Sequence, residues 1–337
     1  MERLLIVDGS SMLVTSYYGL LPKQILFEKD EEKKKQYYDQ IMQYNGHYTN
    51  AMYAMTKTLK KIEKEQHITH MVICFDTTRF TFRRKEYSEY KAQRSATPEP
   101  LKDQFVQMED MLREIGYAVE MSDEFEADDL AGSAAALFSK KMPTYIITKD
   151  HDYLQLIDDN TTLWLVQTQQ DKADAINKKY SAIFSDGKGF SLPDKAAQIT
   201  PEICLAEYGV WPSQIPDLKG ITGDISDNIP GVKGVSSAAA PLLREYGTLD
   251  AIYKAIDSCP DAKTEKKLSA FWKEKLGVKR SPINAMKEYR DSAYMSLHLA
   301  TIRRDVELSH SLDQMSLERL DDTKRREQYE KYGFRSL

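Results

Sequence analysis

Aspartates stand at the carboxyl ends of three apolar, β-like runs: Asp8 after LLIV, Asp76 after MVICF and Asp150 after YIITK. In an open parallel sheet, ligands bind in the crevice beyond the strand carboxyl ends, so three acids delivered there by three strands share one place. Two unit charges about 4 Å apart repel by roughly 4 kcal/mol at an effective dielectric near 20, so such a cluster needs cations. Any one of these aspartates, taken alone, reads as an ordinary turn or helix N-cap residue.

Further acids surround these three. In DEFEADDLAGSAAALF, Glu126 and Asp129 lie three apart on one helical face, with Asp128 flanking them. Asp150 and Asp152 alternate around His151, and GDISDN places Asp224 and Asp227 in a glycine-bounded loop. The candidate metal ligands are therefore Asp8, Asp76, Glu126, Asp128, Asp129, Asp150, Asp152, Asp224 and Asp227. Oxygen-only ligation selects hard cations, Mg²⁺ or Mn²⁺. Zinc is disfavoured, because the six histidines are scattered and the one close pair, His67 and His70, reads as an exposed helix end.

Residues 79–102, RFTFRRKEYSEYKAQRSATPEPLK, carry seven basic and three acidic side chains on a chain whose net charge is −5. Arg79, Arg83, Arg84, Lys85, Lys91, Arg94 and Lys102 alternate with Phe80, Phe82, Tyr87 and Tyr90, combining phosphate neutralisation with surfaces on which bases stack. A charge run is ordinarily a solvated face. This one begins just after Asp76, which sets it over the acidic edge of the sheet.

IVDGSS, CFD followed by FRRKEYSEYKAQR, FEADDLAGS, TKDHDYLQLI and ITGDISDNIPGVKGV follow one another in the order found in a known family. Across roughly residues 4–255 the chain resembles the 5′-nuclease domain of bacterial DNA polymerase I and the flap endonucleases. The resemblance implies an α/β core of PIN-like 5′-nuclease type, a central mostly parallel sheet flanked by helices, over residues 1–199, with residues 79–102 as a basic arch. Residues 200–337 would form a helical DNA-binding subdomain with a helix-three-turn-helix and C-terminal helices. The implied activity is two-metal hydrolysis of DNA phosphodiesters by a 5′ to 3′ exonuclease and structure-specific flap endonuclease. Its DNA partner would carry a free 5′ end at a flap, nick or branch.

By the same resemblance, Asp8, Asp76, Glu126, Asp128 and Asp129 would hold a first Mg²⁺ and Asp150, Asp152, Asp224 and Asp227 a second, with Mn²⁺ able to substitute. Lys91 and Arg94 match positions that approach the scissile phosphate, as does Arg83 more loosely. Arg84 and Tyr90 in the arch, and Gly231, Lys233, Gly234 and Ser236 in the turn, would contact DNA, with K⁺ bound by carbonyls of that turn. The chain departs from the family at Val14 and Thr15, where relatives carry an aromatic and an arginine. Lys149 replaces a glycine, and Ser236 the final glycine of the turn. Two rival readings are a branched-DNA binding protein that has lost catalysis and a related metal-dependent RNase.

Composition agrees with a two-part globular chain of 337 residues. Cys74, Cys204 and Cys259 are expected to be reduced thiols. No apolar run reaches membrane-spanning length and no signal peptide precedes the first strand, so a cytoplasmic, monomeric, stand-alone form without a fused polymerase is expected. Two stretches exceed the family pattern. Residues 22–46 read as an exposed helical insertion with Asp30–Lys34 and Glu31–Lys35 at helical spacing. Residues 167–198 read as a polar excursion with a turn at Asp186-Gly187-Lys188-Gly189.

Overall fold

The computed structural model describes residues 2–183 and 192–337, so the turn expected at 186–189 lies outside the described residues. Six strands form the main sheet: β1 (Leu4–Asp8), β2 (His70–Asp76), β3 (Ala118–Ser122), β4 (Thr144–Thr148), β5 (Thr161–Val166) and β6 (Ala196–Ile199). Their spatial order is β3-β2-β1-β4-β5-β6. All neighbours pair in parallel except β5 and β6, where the edge strand runs antiparallel. His70 opens β2 and is buried, so it is not part of an exposed helix end.

In this order β1 and β4 flank the point where the winding of the chain reverses, the place at which open α/β sheets bind ligands. Asp8 ends β1, Asp76 ends β2, and Asp150 follows β4 by two residues. The three aspartates thus straddle the reversal, and the apolar run before each acid is the reason. Val, Ile and Leu fill the central strands because both sheet faces are covered.

Alternation along β1 divides the interior. Leu4 and Ile6 enter a core shared with helix Ala127–Phe138, whereas Leu5 and Val7 enter another shared with helices Gly9–Gly19, Asn50–Glu65 and Glu99–Ile115. The first core continues without a break into the C-terminal helices through Ile203, Ile221, Leu242, Ile256 and Trp272. The boundary expected at 199/200 therefore marks where strands give way to helices, not where one core ends. From Ile302 onward the chain returns to the sheet: Tyr332 and Phe334 are buried in the second core.

The insertion at 22–46 contains short helices Lys23–Phe27 and Glu31–Lys35 and part of a two-stranded hairpin, Gln43–Tyr44 with His47–Tyr48. Its ion pairs form at i,i+3, Glu31–Lys34 at 2.6 Å and Glu32–Lys35 at 2.7 Å, not at the i,i+4 spacing the sequence suggests. Asp30 is the N-cap, accepting from the Glu32 and Lys33 amides, and this removes it from the helical face. Within the stretch 167–198, helix Gln170–Lys179 seats Ala173 in the core.

Arg83 joins three parts of the fold. It is 1% exposed, donates through Nη1 and Nη2 to Asp129 at 2.7 Å each, and also donates to the Leu299 and Thr301 carbonyls at 2.9 Å. The base of the arch, helix Ala127–Phe138 and the end of helix Arg290–Ala300 are thereby locked together. Removing one member of a buried pair strands the other charge, at a cost of about 3–5 kcal/mol. Arg83→Met should lower unfolding stability by that amount in urea melts; a loss below about 1 kcal/mol would refute the joint.

Glu109 lies on the buried face of helix Glu99–Ile115, where burial, aided by Asp110 and opposed by Arg113, pushes its carboxyl up to about 7 from 4.5. The folded chain keeps a proton that the unfolded chain releases, so stability falls as pH rises through that window. Glu109→Gln should match the parent near pH 4 and exceed it by about 1–2 kcal/mol near pH 8. Equal stability at both pH values would contradict this.

Candidate metal centre and nucleic-acid cleft

A cleft of about 700 Å³ opens at the carboxyl edge of the sheet, and Asp8, Asp76, Glu126, Asp128 and Asp150 line it. Each acid is held by the element that delivers it. Asp8 caps helix Gly9–Gly19, accepting from the Ser11 amide at 3.0 Å and the Thr148 hydroxyl at 2.6 Å. Gly9 follows because a Cβ there would lie 2.7 Å from the Phe75 ring. Asp76 accepts from the Ala127 amide at 2.9 Å, tying β2 to the start of helix Ala127–Phe138. Glu126 and Asp129 form the capping box of that helix. Asp150 caps the following 3₁₀ turn through the Asp152 amide.

Lysines and arginines neutralise these acids in pairs. Lys91 Nζ lies 2.7 Å from Glu126 and 3.6 Å from Asp227. Arg94 pairs with the other oxygen of Asp227. Lys219 bridges Asp152 and Asp224, 2.6 Å from the latter. Lys91 is positioned by its backbone: its φ of 52° lies in the left-handed region, and its amide donates to the Asp227 carbonyl at 3.0 Å. A non-glycine residue in that region is strained, and such strain concentrates at functional sites.

The titration of the acids follows from these neighbours. Burial pushes Asp8 up to about 6 despite its hydrogen bonds, and raises Asp128 strongly, with repulsion from Asp129 adding to it. Burial also raises Asp150, and takes Asp152 to about 7 with Asp150 contributing. Asp224 pairs with the same lysine as Asp152 but is less buried; there Lys219 and Ser226 overcome burial and hold it at about 2. Lys91 and Arg83 likewise outweigh burial at Glu126 and lower it.

The donor set fits divalent cations. Every acid wall of the cleft offers oxygen, and Asp128 Oδ1 is buried without a hydrogen-bond partner, 3.8 Å from Arg83. A buried carboxylate oxygen left unsatisfied is costly, and a hard cation removes that cost. Among the described residues no group of three acids, as they lie, is close enough to hold a metal ion.

The geometry bears on several expected roles. Asp129 is fully buried, and its oxygens accept from Arg83 twice, the Glu126 amide and the Arg303 amide, so no lone pair remains for a metal. Arg83, as its partner, is a structural joint and does not reach the cleft where a phosphate would lie. Tyr90 lines the cleft but is only 3% exposed, and its hydroxyl donates to Glu126 at 3.1 Å and Asp227 at 3.3 Å; its role is to hold carboxylates. Asp152, Asp224 and Asp227 are drawn onto Lys219, Lys91 and Arg94 and are not among the cleft walls.

Gly231 is buried as well. A Cβ there would fall 2.2 Å from the Gly223 amide, and its own N–H and carbonyl are satisfied by Ser296 and Ser292. It permits two turns to pack and presents nothing to DNA. Lys233, Gly234 and Ser236 are exposed where helix Ser236–Tyr246 begins, with no side-chain cap on its first turn. Arg84, Lys149, Val14 and Thr15 all line the cleft.

Lys219, Thr148 and Tyr153 were not evident from sequence. Tyr153 is buried and lines the cleft together with Asp8. Lys219 carries a weak signal, one lysine on the turn of helix Ile215–Thr222 that leads into Asp224. Thr148 and Tyr153 carry none beyond their closeness to Asp150.

Comparison with known proteins agrees with the fold. A family model described as the N-terminal resolvase-like domain of 5′-3′ exonucleases matches residues 3–181, and one described as the 5′-3′ exonuclease C-terminal SAM fold matches residues 210–323. A 5′-3′ exonuclease of Mycoplasma pneumoniae is 29% identical over 100% of this chain and 98% of its own length. DNA polymerase I of Bacillus caldotenax is 30% identical over 100% of this chain, which spans 32% of that polymerase. The T5 5′-exonuclease solved with divalent metal ions (zinc) superposes with a TM-score of 0.57 at 18% identity, covering 97% of this chain and 98% of that one. The catalytic core of Rad2 in complex with DNA substrate gives 0.53 at 14% identity, covering 98% and 88%. At such identities the solved structures share the fold. No helix among the described residues is long and apolar enough to cross a membrane. With family models matching both halves of the chain and carboxylates lining a cleft where the sheet reverses, the protein belongs to the 5′-3′ exonuclease family.

Proposed function

We propose that the chain is a Mg²⁺-dependent 5′ to 3′ exonuclease and structure-specific flap endonuclease. It acts as a monomer on DNA with a free 5′ end during replication and repair. The observation that carries this reading is the cleft itself: Asp8, Asp76, Glu126, Asp128 and Asp150 line it, Asp128 with an unsatisfied oxygen, and Lys91 and Arg94 line it beside them. The exonuclease activity named for the Mycoplasma pneumoniae relative supports it, as does the DNA bound in the Rad2 structure.

Asp8, Asp76, Glu126, Asp128 and Asp150 would hold divalent ions directly or through water, with Asp152, Asp224 and Asp227 completing the set once Lys219, Lys91 and Arg94 turn toward phosphate. Magnesium suits this oxygen donor set, and manganese would substitute. When bound, two such ions supply Lewis-acid stabilisation to an attacking water and a departing 3′ oxygen. Water adds to phosphorus, the bond to the 3′ oxygen breaks, that oxygen takes up a proton, and the 5′ phosphate stays on the downstream strand.

Arg94, about half exposed, is placed to offset charge on the scissile phosphate, and Lys91 adds a second cation beside Glu126. Behind the cut, Lys233, Gly234 and Ser236 would meet duplex phosphates through a side-chain cation and free helix amides. K⁺ held by carbonyls of that same turn would join it to a phosphate.

Incubation with a 5′-labelled flap, a nicked duplex, single-stranded DNA and matched RNA, in Mg²⁺ or EDTA, tests the reading. Mg²⁺-dependent cleavage of the flap is expected. Tight flap binding without cleavage would favour a branched-DNA binding protein, and preferential cleavage of RNA would favour an RNase. Lys91→Ala should slow flap cleavage by about 10²–10³-fold while leaving duplex affinity within about twofold. A variant that lost affinity but cleaved normally at saturation would contradict the role given to Lys91.

A further inference from the structure

Four aromatic side chains punctuate the basic arch, and the structure withdraws three of them. Tyr90 is buried with its hydroxyl committed to Glu126 and Asp227. Phe82 meets the Phe125 ring at 5.7 Å and His298 at 6.3 Å. Tyr87 is half-buried against the small cluster of Tyr90, Ile229 and Leu299. Phe80 alone stands out, 67% exposed.

Its ring is prepared for a ligand. The Arg84 guanidinium lies 5.2 Å from the ring centroid, and Arg84 and Arg79 both line the cleft. The segment around it is fixed: the Phe80 amide donates to the Thr78 hydroxyl at 3.1 Å, Thr81 is buried and donates to Glu126 at 3.1 Å, and Arg79 reaches the Ser95 carbonyl at 2.5 Å. Phe80 therefore stands at a set distance from the carboxylates, since its neighbour Thr81 touches one of them. A flat apolar surface flanked by arginines matches one kind of group: a nucleobase on a chain of phosphates.

We propose that Phe80, with Arg84, stacks an unpaired base of the 5′ single strand entering the cleft, and so gives preference for substrates with a single-stranded arm. This rests on the function proposed above but reads binding, not cleavage. Phe80 stands beside the cleft lining, between Arg79 and Arg84, while Val14 and Thr15, which also line the cleft, offer no ring.

The test measures equilibrium binding in EDTA of wild type, Phe80→Ala and Phe80→Trp to three DNAs: a duplex with an unpaired 5′ arm, the same duplex with an abasic arm, and the blunt duplex. Phe80→Ala should weaken binding to the normal arm by about tenfold and change the other two by less than about twofold, while Phe80→Trp keeps the preference. Equal losses on all three DNAs, or no loss on the normal arm, would overturn the proposal. Wild-type cleavage in Mg²⁺, measured in parallel, separates the readings. An inactive wild type with a base-dependent loss in the variant would refute the hydrolase and uphold the stack; a wild type that cleaves without such a loss would do the reverse.

Discussion

Repulsion among carboxylates brought to one sheet edge is the constraint around which this molecule is arranged. A parallel sheet wound from β1 outward in both directions delivers Asp8, Asp76 and Asp150 to its reversal point, and the helix after β3 adds Glu126 and Asp128. Burial makes the crowding costlier, since charge in a poorly solvated site is not screened by water. Burial first, and repulsion between neighbouring acids after it, raises the proton affinities of Asp8, Asp128 and Asp150.

The chain meets the constraint with cations taken from distant parts of the sequence. Lys91 and Arg94 come from the arch, Lys219 from the helix before the Asp224 loop, and Arg83 from the arch base. Each pair also fastens one part of the molecule to another. Arch and Asp224 loop are tied through Asp227, and arch base, helix Ala127–Phe138 and helix Arg290–Ala300 through Arg83. The electrostatics of the site and the stability of the fold are therefore one problem. The same arrangement leaves Asp128 Oδ1 unsatisfied, which marks where a divalent ion gains most.

Much of this was legible in the sequence because strand periodicity and chain order are local signals. Apolar runs ending in aspartate fixed the sheet edge, and five motifs in order fixed the family. What escaped depended on which side of a helix or turn faces inward. Spacing alone puts Glu126 and Asp129 on one face; it does not reveal that Asp129 points to Arg83, nor that Arg83 is buried and not aimed at substrate. Tyr90 looked like a stacking ring until its hydroxyl was seen to serve two carboxylates. Gly231 looked like a phosphate cradle, but the backbone of Gly223 fills the space a side chain would need. Lys219 was missed because a lone lysine gives no hint of partners 67 and 5 residues away.

Calorimetric titration of Mn²⁺ into the metal-free chain tests the central claim most directly. The account predicts saturable binding of about two ions per chain, with Asp128→Asn weakening it by at least about tenfold and Asp129→Asn leaving the number of sites unchanged. Absence of saturable binding, or binding indifferent to Asp128, would contradict a metal centre at this sheet edge.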